Sequence, residues 1–270
     1  MNEIKTRFRR VDGLSIRYAE SEGPRDRDAL LLGTLPESLY TYHAVWARLA
    51  EHARLVAVDL PGFGHSEMRE ELLSPAAMSE FVVRIADEFG LERPDVIGPD
   101  IGTSATLLAA ARHPGRFRTA VVGSGGAAAP LQLTGPLDDW VNAQSLEPYR
   151  ALGPKDIVTI AMGKMGTRPP EIVYEDYLAG YTGDRMARQI EYIRAYRTDL
   201  PVLRELLPGI ETPVQLITGR DDHLVPVANA EFLHERLPDS RLDVIDVGHY
   251  VWEEAPDEYA SLVVDWWRTH

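Results

Sequence analysis

The chain has 270 residues, 28 Lys and Arg against 42 Asp and Glu, a formal net charge of −14, and no cysteine. That charge disfavours nucleic acid and anionic membrane as partners, and the absence of cysteine excludes disulfides, thiolate metal sites and a thiol nucleophile. Apolar residues make up 44% of the chain, enough for the core of one large α/β domain. No apolar run approaches the about 18 residues of a membrane span, and the opening stretch MNEIKTRFRR lacks the apolar centre of a secretory leader. The expectation is a cytoplasmic protein, monomeric or homodimeric.

In chain order, Thr6 to Val11 and Leu14 to Tyr18 alternate in polarity and meet at Asp12-Gly13, which predicts a hairpin. Asp28 to Leu32 and Leu55 to Val58 read as buried strands, separated by helical spacing over Tyr42 to Ala53. Met78 to Phe89 reads as an amphipathic helix closed by Gly90. A short strand at Val96-Ile97, a helix from Ser104 to Arg112 and a strand from Phe117 to Val122 follow. Residues 130–205 carry helical patterns with no buried strand, and predict an inserted helical cap. Alternation returns with a strand at Val214 to Ile217, a helix from Ala228 to Leu237, a strand at Leu242 to Ile245 and a helix from Glu258 to Arg268. The fold class is therefore α/β: an eight-stranded, mostly parallel sheet with helices on both faces. Residues 1–129 and 206–270 form its core.

Between the strand at Val96-Ile97 and the helix from Ser104 lies Gly98-Pro99-Asp100-Ile101-Gly102. Small residues flank a central residue at a strand-to-helix turn, the frame of a nucleophile elbow, which holds its central side chain clear on a strained turn. The usual occupant is Ser, and here it is Asp100. Loops at the carboxyl ends of parallel strands are where such folds bind ligands.

This order resembles the α/β-hydrolase superfamily over nearly the whole chain. Leu32-Gly33-Thr34-Leu35-Pro36 stands where the family keeps its oxyanion loop, and Asp59 to Ser66 looks like its D-x-x-G-x-G-x-S turn. Gly219 to Pro226 resembles the acid loop after the seventh strand, and Gly248-His249-Tyr250 the histidine loop after the eighth. The resemblance implies Asp100 as nucleophile, Asp222 as acid and His249 as base, in the family's chain order. The loop after the sixth strand, Gly123 to Gly126, has no carboxylate, which supports the later position of the acid. Backbone donors for an oxyanion fall to Ile101 and to Thr34 or Leu35.

A carboxylate attacking an ester would give a high-energy anhydride, whereas at an sp³ carbon it gives an ordinary alkyl ester. Asp100 therefore points to opening an epoxide or displacing a halide, with His249 activating water to release the ester. The aspartate resembles the epoxide hydrolase and haloalkane dehalogenase branches of the superfamily. Dehalogenases commonly carry Trp after the nucleophile, or Arg in fluoroacetate dehalogenases, where this chain has Ile101. In epoxide hydrolases two cap tyrosines protonate the alkoxide. Tyr149 lies about where the first is kept, and Tyr192 and Tyr196, four apart on a helical stretch, about where the second is.

The expectation is an epoxide hydrolase acting on a small apolar organic substrate with water. Pro99, Ile101 and Leu32 depart from the family pattern and suggest a bulky natural-product epoxide. The alternatives are a haloalkane dehalogenase and a non-catalytic binder on the same fold. No metal-ligand cluster, phosphate loop or dinucleotide fingerprint is present, so no cofactor and no metal are expected.

Overall fold

The computed structural model of the protein describes residues 4–22 and 26–270; the first three residues of the N-terminal stretch lie outside them. The strands are β1 (Thr6–Val11), β2 (Leu14–Glu20), β3 (Asp28–Leu32), β4 (Arg54–Val58), β5 (Asp95–Ile97), β6 (Ala120–Val122), β7 (Val214–Gly219) and β8 (Ser240–Ile245). They form one eight-stranded sheet in the order β1-β2-β4-β3-β5-β6-β7-β8. The β1–β2 and β2–β4 pairs are antiparallel and every other pair is parallel. This is the α/β-hydrolase fold, and its hairpin stands where the Asp12-Gly13 turn predicts it. Asp12 and Gly13 both take positive φ, which a two-residue hairpin turn requires.

Around the sheet lie α1 (Trp46–Ala50), α2 (Pro75–Glu88), α3 (Gly102–Arg112), α10 (Ala228–His234), α11 (Val251–Glu254) and α12 (Pro256–Thr269). Between β6 and β7 the chain inserts α4 (Gly135–Val141), α5 (Glu147–Arg150), α6 (Pro154–Met162), α7 (Glu171–Ala179), α8 (Arg185–Arg194) and α9 (Tyr196–Leu206). The sheet's centre is dry because its strands are apolar on both faces: Leu30, Leu31, Val56, Val58, Val96 and Val121 are all fully buried. α2 shows how the covering helices are specified. Ser74 caps it by accepting from Ala77 N–H at 3.1 Å, Pro75 opens its first turn, and Met78, Phe81, Val82 and Ile85 bury one face.

Two predicted elements are shorter than expected. The helix over Tyr42 to Ala53 is a 3₁₀ turn, Leu39–Tyr42, followed by α1 from Trp46. The early turn arises because Asp59 Oδ1 accepts from Leu39 N–H at 2.6 Å, and Ser38 Oγ accepts from Tyr40 N–H at 3.2 Å. The strand from Phe117 shortens to Ala120–Val122, since β5, its neighbour, has three residues to pair with it.

The turn after β4 ties the core to the inserted helices. Gly64 takes φ +47°, and a Cβ there would stand 2.3 Å from the Asp59 carboxyl carbon. Asp59 is fully buried and also accepts from His65 N–H at 2.9 Å. Over this turn sits α7: Arg17 on β2 grips Asp176 with two hydrogen bonds of 3.0 and 2.6 Å, and Ser38 Oγ donates to the same carboxylate at 2.6 Å. His65 Nε2 lies 3.3 Å from Asp176 Oδ1. Further along, Gln189 on α8 donates to Gly62 O at 3.0 Å.

Candidate functional site

Asp100 stands at the crossing of β5 and α3 with φ +52°, one of three non-glycine residues in the left-handed region among the described residues. Such a conformation costs on the order of 1–3 kcal/mol and persists only where surrounding bonds over-determine it. Here Asp100 N–H donates to Gly123 O at 2.9 Å, Thr103 N–H to Asp100 O at 3.0 Å, and Thr103 Oγ1 to Gly123 O at 3.0 Å. Of the two flanking glycines, the geometry requires Gly98. A Cβ on it would lie 2.3 Å from Thr106 Oγ1, whereas one on Gly102 would meet Leu32 at an ordinary 3.5 Å.

The Asp100 carboxylate is buried. Its Oδ2 accepts from Leu35 N–H at 2.7 Å, and its Oδ1 lies 3.8 Å from His249 Nε2, beyond direct hydrogen-bond range. Leu35 is thus the backbone donor of the predicted loop that reaches Asp100. Thr34 instead turns its hydroxyl to Glu37. Ile101 N–H makes no hydrogen bond among the described residues, and stands at the head of α3 beside the Asp100 carboxylate.

His249 Nδ1 is 2.8 Å from Asp222 Oδ2, and Asp222 Oδ1 accepts from Leu224 and Val225 N–H at 2.9 and 2.8 Å. The neighbouring Asp221 is exposed. Burial works to raise the Asp222 pKa, but the charge of His249, its hydrogen bond and the two N–H donors outweigh it and hold the carboxyl below its ordinary range. For His249, burial works to lower the pKa. The charges of Asp222 and Asp100 outweigh it and raise the imidazole to about 10. In the resting site the imidazole is therefore protonated at neutral pH.

Of the phenols on the inserted helices, Tyr181, Tyr192 and Tyr196 are buried and feel the charge of Asp100. Tyr196 is buried, raised well above its ordinary pKa by burial and by the neighbouring Tyr192 and Asp100, and so stays a protonated donor. Tyr192 is buried too, but its hydroxyl is committed to Ile101 O at 2.9 Å, which ties α8 to the elbow. The two rings meet edge to face, 6.0 Å between centroids. Tyr149 stands elsewhere: it is half-buried on α5, its phenol raised by burial and the charge of Asp139. Tyr181, at the end of α7, takes a place no spacing indicated. Burial raises its phenol, Arg185 opposes the rise, and Asp100 and Glu37 reinforce it.

Beneath Asp100 lies a group the motifs did not reveal. Glu37 is fully buried, accepting from the hydroxyls of Thr34 and Thr41 and, at 3.3 Å, from the indole N–H of Trp252. Glu253 is its electrostatic neighbour and accepts from Tyr177 O–H of α7. Two carboxylates so placed cannot both ionise. Burial raises Glu37 to about 7 and, with the Glu37 charge, raises Glu253 well above its ordinary range. The acidic pair joins the oxyanion loop, the histidine loop and an inserted helix. Its only sequence signal was the proximity of acids to two motifs.

The pair sets a pH dependence. A carboxyl whose folded pKa exceeds its unfolded value stabilises the fold fully below the unfolded value, and that stability is lost as pH rises through the folded one. Wild-type stability against urea will therefore fall between the ordinary Glu value of 4.5 and about 7. Glu37→Gln will flatten that decline, and urea midpoints across this window check it. An unchanged slope would show that Glu37 ionises with the unfolded chain.

Among the described residues no group of three or more His, Asp or Glu side chains is placed to hold a metal ion. Among the described residues no helix is long and apolar enough to cross a membrane.

Comparison with known proteins agrees with the sheet. A family model described as alpha/beta hydrolase fold matches residues 30–256. A putative carbamate hydrolase of Caulobacter sp. (strain K31) is 27% identical over 276 residues, covering 94% of this chain and 96% of its own. The 2-hydroxymuconate semialdehyde hydrolase of Pseudomonas sp. (strain CF600) is 26% identical over 229 residues, covering 83% and 80%. Among solved structures, an alpha/beta hydrolase fold protein from Burkholderia ambifaria superposes with a TM-score of 0.83 at 21% identity, over 98% of this chain and 100% of that one. Matched over residues 30–256, the chain belongs to the α/β-hydrolase fold family.

Proposed function

We propose that the protein is a hydrolase that works through a covalent ester on Asp100, and that its substrate is an epoxide. The family and the hydrolases it resembles support hydrolysis; the choice of bond rests on the nucleophile. One observation carries the reading: a buried carboxylate, not a hydroxyl, occupies the elbow, with one oxygen already on the Leu35 N–H. That carboxylate attacks an sp³ ring carbon, the carbon–oxygen bond breaks, and the leaving oxygen takes a proton from Tyr196, with Tyr181 the second phenol near Asp100. The inserted helices act as a cap that supplies these phenols and covers an apolar substrate.

Esterification neutralises Asp100. It removes one of the two negative charges that raise His249, so the imidazole gives up its proton, which passes through solvent to the Tyr196 phenolate left by ring opening. His249, oriented by Asp222, then takes a proton from water, and the hydroxide attacks the ester carbonyl carbon. The N–H groups of Leu35 and Ile101 hold the oxyanion. Collapse frees the diol and Asp100, and the proton taken from water stays on His249, which restores the resting site. Net, one water is added.

Displacement of a halide would use the same carboxylate but calls for N–H donors around the leaving group. Ile101 offers no ring donor, and the indole N–H of Trp252 is bound to Glu37. Epoxide opening therefore fits better. Pro99, Ile101 and Leu32 depart from the family pattern, which points to a bulky natural-product epoxide. A single turnover in heavy-oxygen water tests the route: the label will enter the Asp100 carboxylate, seen as a +2 Da shift of its peptide. Turnover with an unlabelled Asp100 would rule out the covalent ester.

A further inference from the structure

One cation near the proposed site makes no ion pair among the described residues. Arg185 opens α8, and its guanidinium donates from Nη1 to Ser66 O, 2.9 Å away in the turn after β4. A guanidinium carries five N–H donors. Among the described residues no carboxylate lies within ion-pair distance of this one, and Ser66 O is its one hydrogen-bond acceptor. Burial draws its pKa down, and the more distant charges of Asp59 and Tyr181 do not make up the loss.

The contrast with other partly buried arginines is plain. Arg17 meets Asp176 and Asp59, Arg54 meets Asp28 and Glu20, and Arg188, three residues on along the same helix, meets Glu70, Asp184 and Glu191. In a chain of net charge −14, carboxylates are not scarce. A partly desolvated cation without one costs free energy, and an incoming anion would recover it.

Its place relative to the nucleophile comes from α8 and the sheet: Tyr192, seven residues on along the same helix, donates to Ile101 O at the elbow at 2.9 Å, and Ser66 lies in the turn after β4, which only β3 separates from the strand that carries Asp100. The pinning of Arg185 to a core carbonyl also fixes it on the boundary between α8 and the core, where a substrate under the inserted helices would extend.

We propose that Arg185 is a substrate-binding residue, and that the molecule taken up over Asp100 carries a carboxylate which the free edge of this guanidinium grips. A planar carboxylate matches two parallel N–H groups of one arginine. A phosphate dianion fits less well, since a single cation would face it beside Asp100, Asp222 and Glu37. The inference deepens the proposed function, because it takes the space over Asp100 to be the substrate site.

The test is a binding measurement that needs no turnover. Phenylacetate and its neutral analogue phenylacetamide are titrated calorimetrically into the wild type, Arg185→Gln and Arg185→Lys, with thermal melts to confirm that each variant is folded. The wild type will bind phenylacetate at least about tenfold more tightly. Arg185→Gln will bind the two alike, and Arg185→Lys will keep part of the preference. Equal affinities in the wild type, no phenylacetate binding at millimolar concentration, or a preference that survives Arg185→Gln would each overturn the proposal. Heavy-oxygen labelling of Asp100 reads the covalent chemistry separately, so either idea can fail without the other.

Discussion

His249→Gln will form the Asp100 ester and stall there. The variant keeps the attacking carboxylate with its Leu35 donor, and the phenols that protonate the leaving oxygen are untouched. What it loses is the base. Removing a positioned general base costs about 10²–10⁴ in rate, so steady turnover should drop by about a thousandfold or more while the first half of the reaction proceeds. Intact-protein mass spectrometry after mixing with an epoxide should show the enzyme plus one substrate, with the added mass on the peptide holding Asp100. The same variant with Asp100→Ala added should show no adduct. A His249→Gln protein that stays unmodified with a substrate the wild type turns over would contradict the ester route.

Arg17→Met should be the most destabilising of the substitutions considered. The Arg17 guanidinium is almost wholly buried between Asp59, which is fully buried, and Asp176 of α7. Removing it leaves two buried carboxylates facing each other, and breaking such a group from one side costs about 3–5 kcal/mol. Urea midpoints at neutral pH measure the loss, which should be larger than for an exposed pair such as Arg220 with Asp246. His65 gives the same cluster a pH signature. The hydrogen bond to Asp176 outweighs burial and raises the imidazole above its ordinary value, so its contribution is full below that value and fades as pH rises through the raised one. A His65→Gln protein should lack that part of the decline. If Arg17→Met is as stable as the wild type, α7 is held by packing rather than by this ionic cluster.

Much of the site was legible because its parts obey local rules. Asp100 was recognisable from a strand, a turn of small residues and a helix, all within a few positions. Asp222 was separable from Asp221 by spacing alone, and the structure buries the first against His249 while leaving the second exposed. Leu35 could be named only together with Thr34, since the choice depends on which N–H the loop turns inward. That was decided by Asp59, Ser38 and Glu37, which fold the residues after Pro36 into an early 3₁₀ turn.

The inserted helices resisted reading for a related reason. Helical spacing says that Tyr192 and Tyr196 share a face, and they do, but it does not say that the Tyr192 hydroxyl is taken by a backbone carbonyl of the elbow. Tyr181 and Arg185 lie around a turn between α7 and α8, where no periodicity operates.

By itself, then, the sequence determined the order of strands and helices, the acidic balance, and the three loops that carry Asp100, Asp222 and His249. Each follows from short-range chemistry: apolar periodicity, turn residues, and the spacing of a side chain from its own strand. Only the tertiary structure decided which phenols lie buried around the elbow, that Glu37 and Glu253 lie buried as neighbours, and that Arg185 makes no ion pair among the described residues. Those are relations between residues tens to hundreds of positions apart, and charge pairing and desolvation have no value until the chain has brought the groups together and removed the water between them.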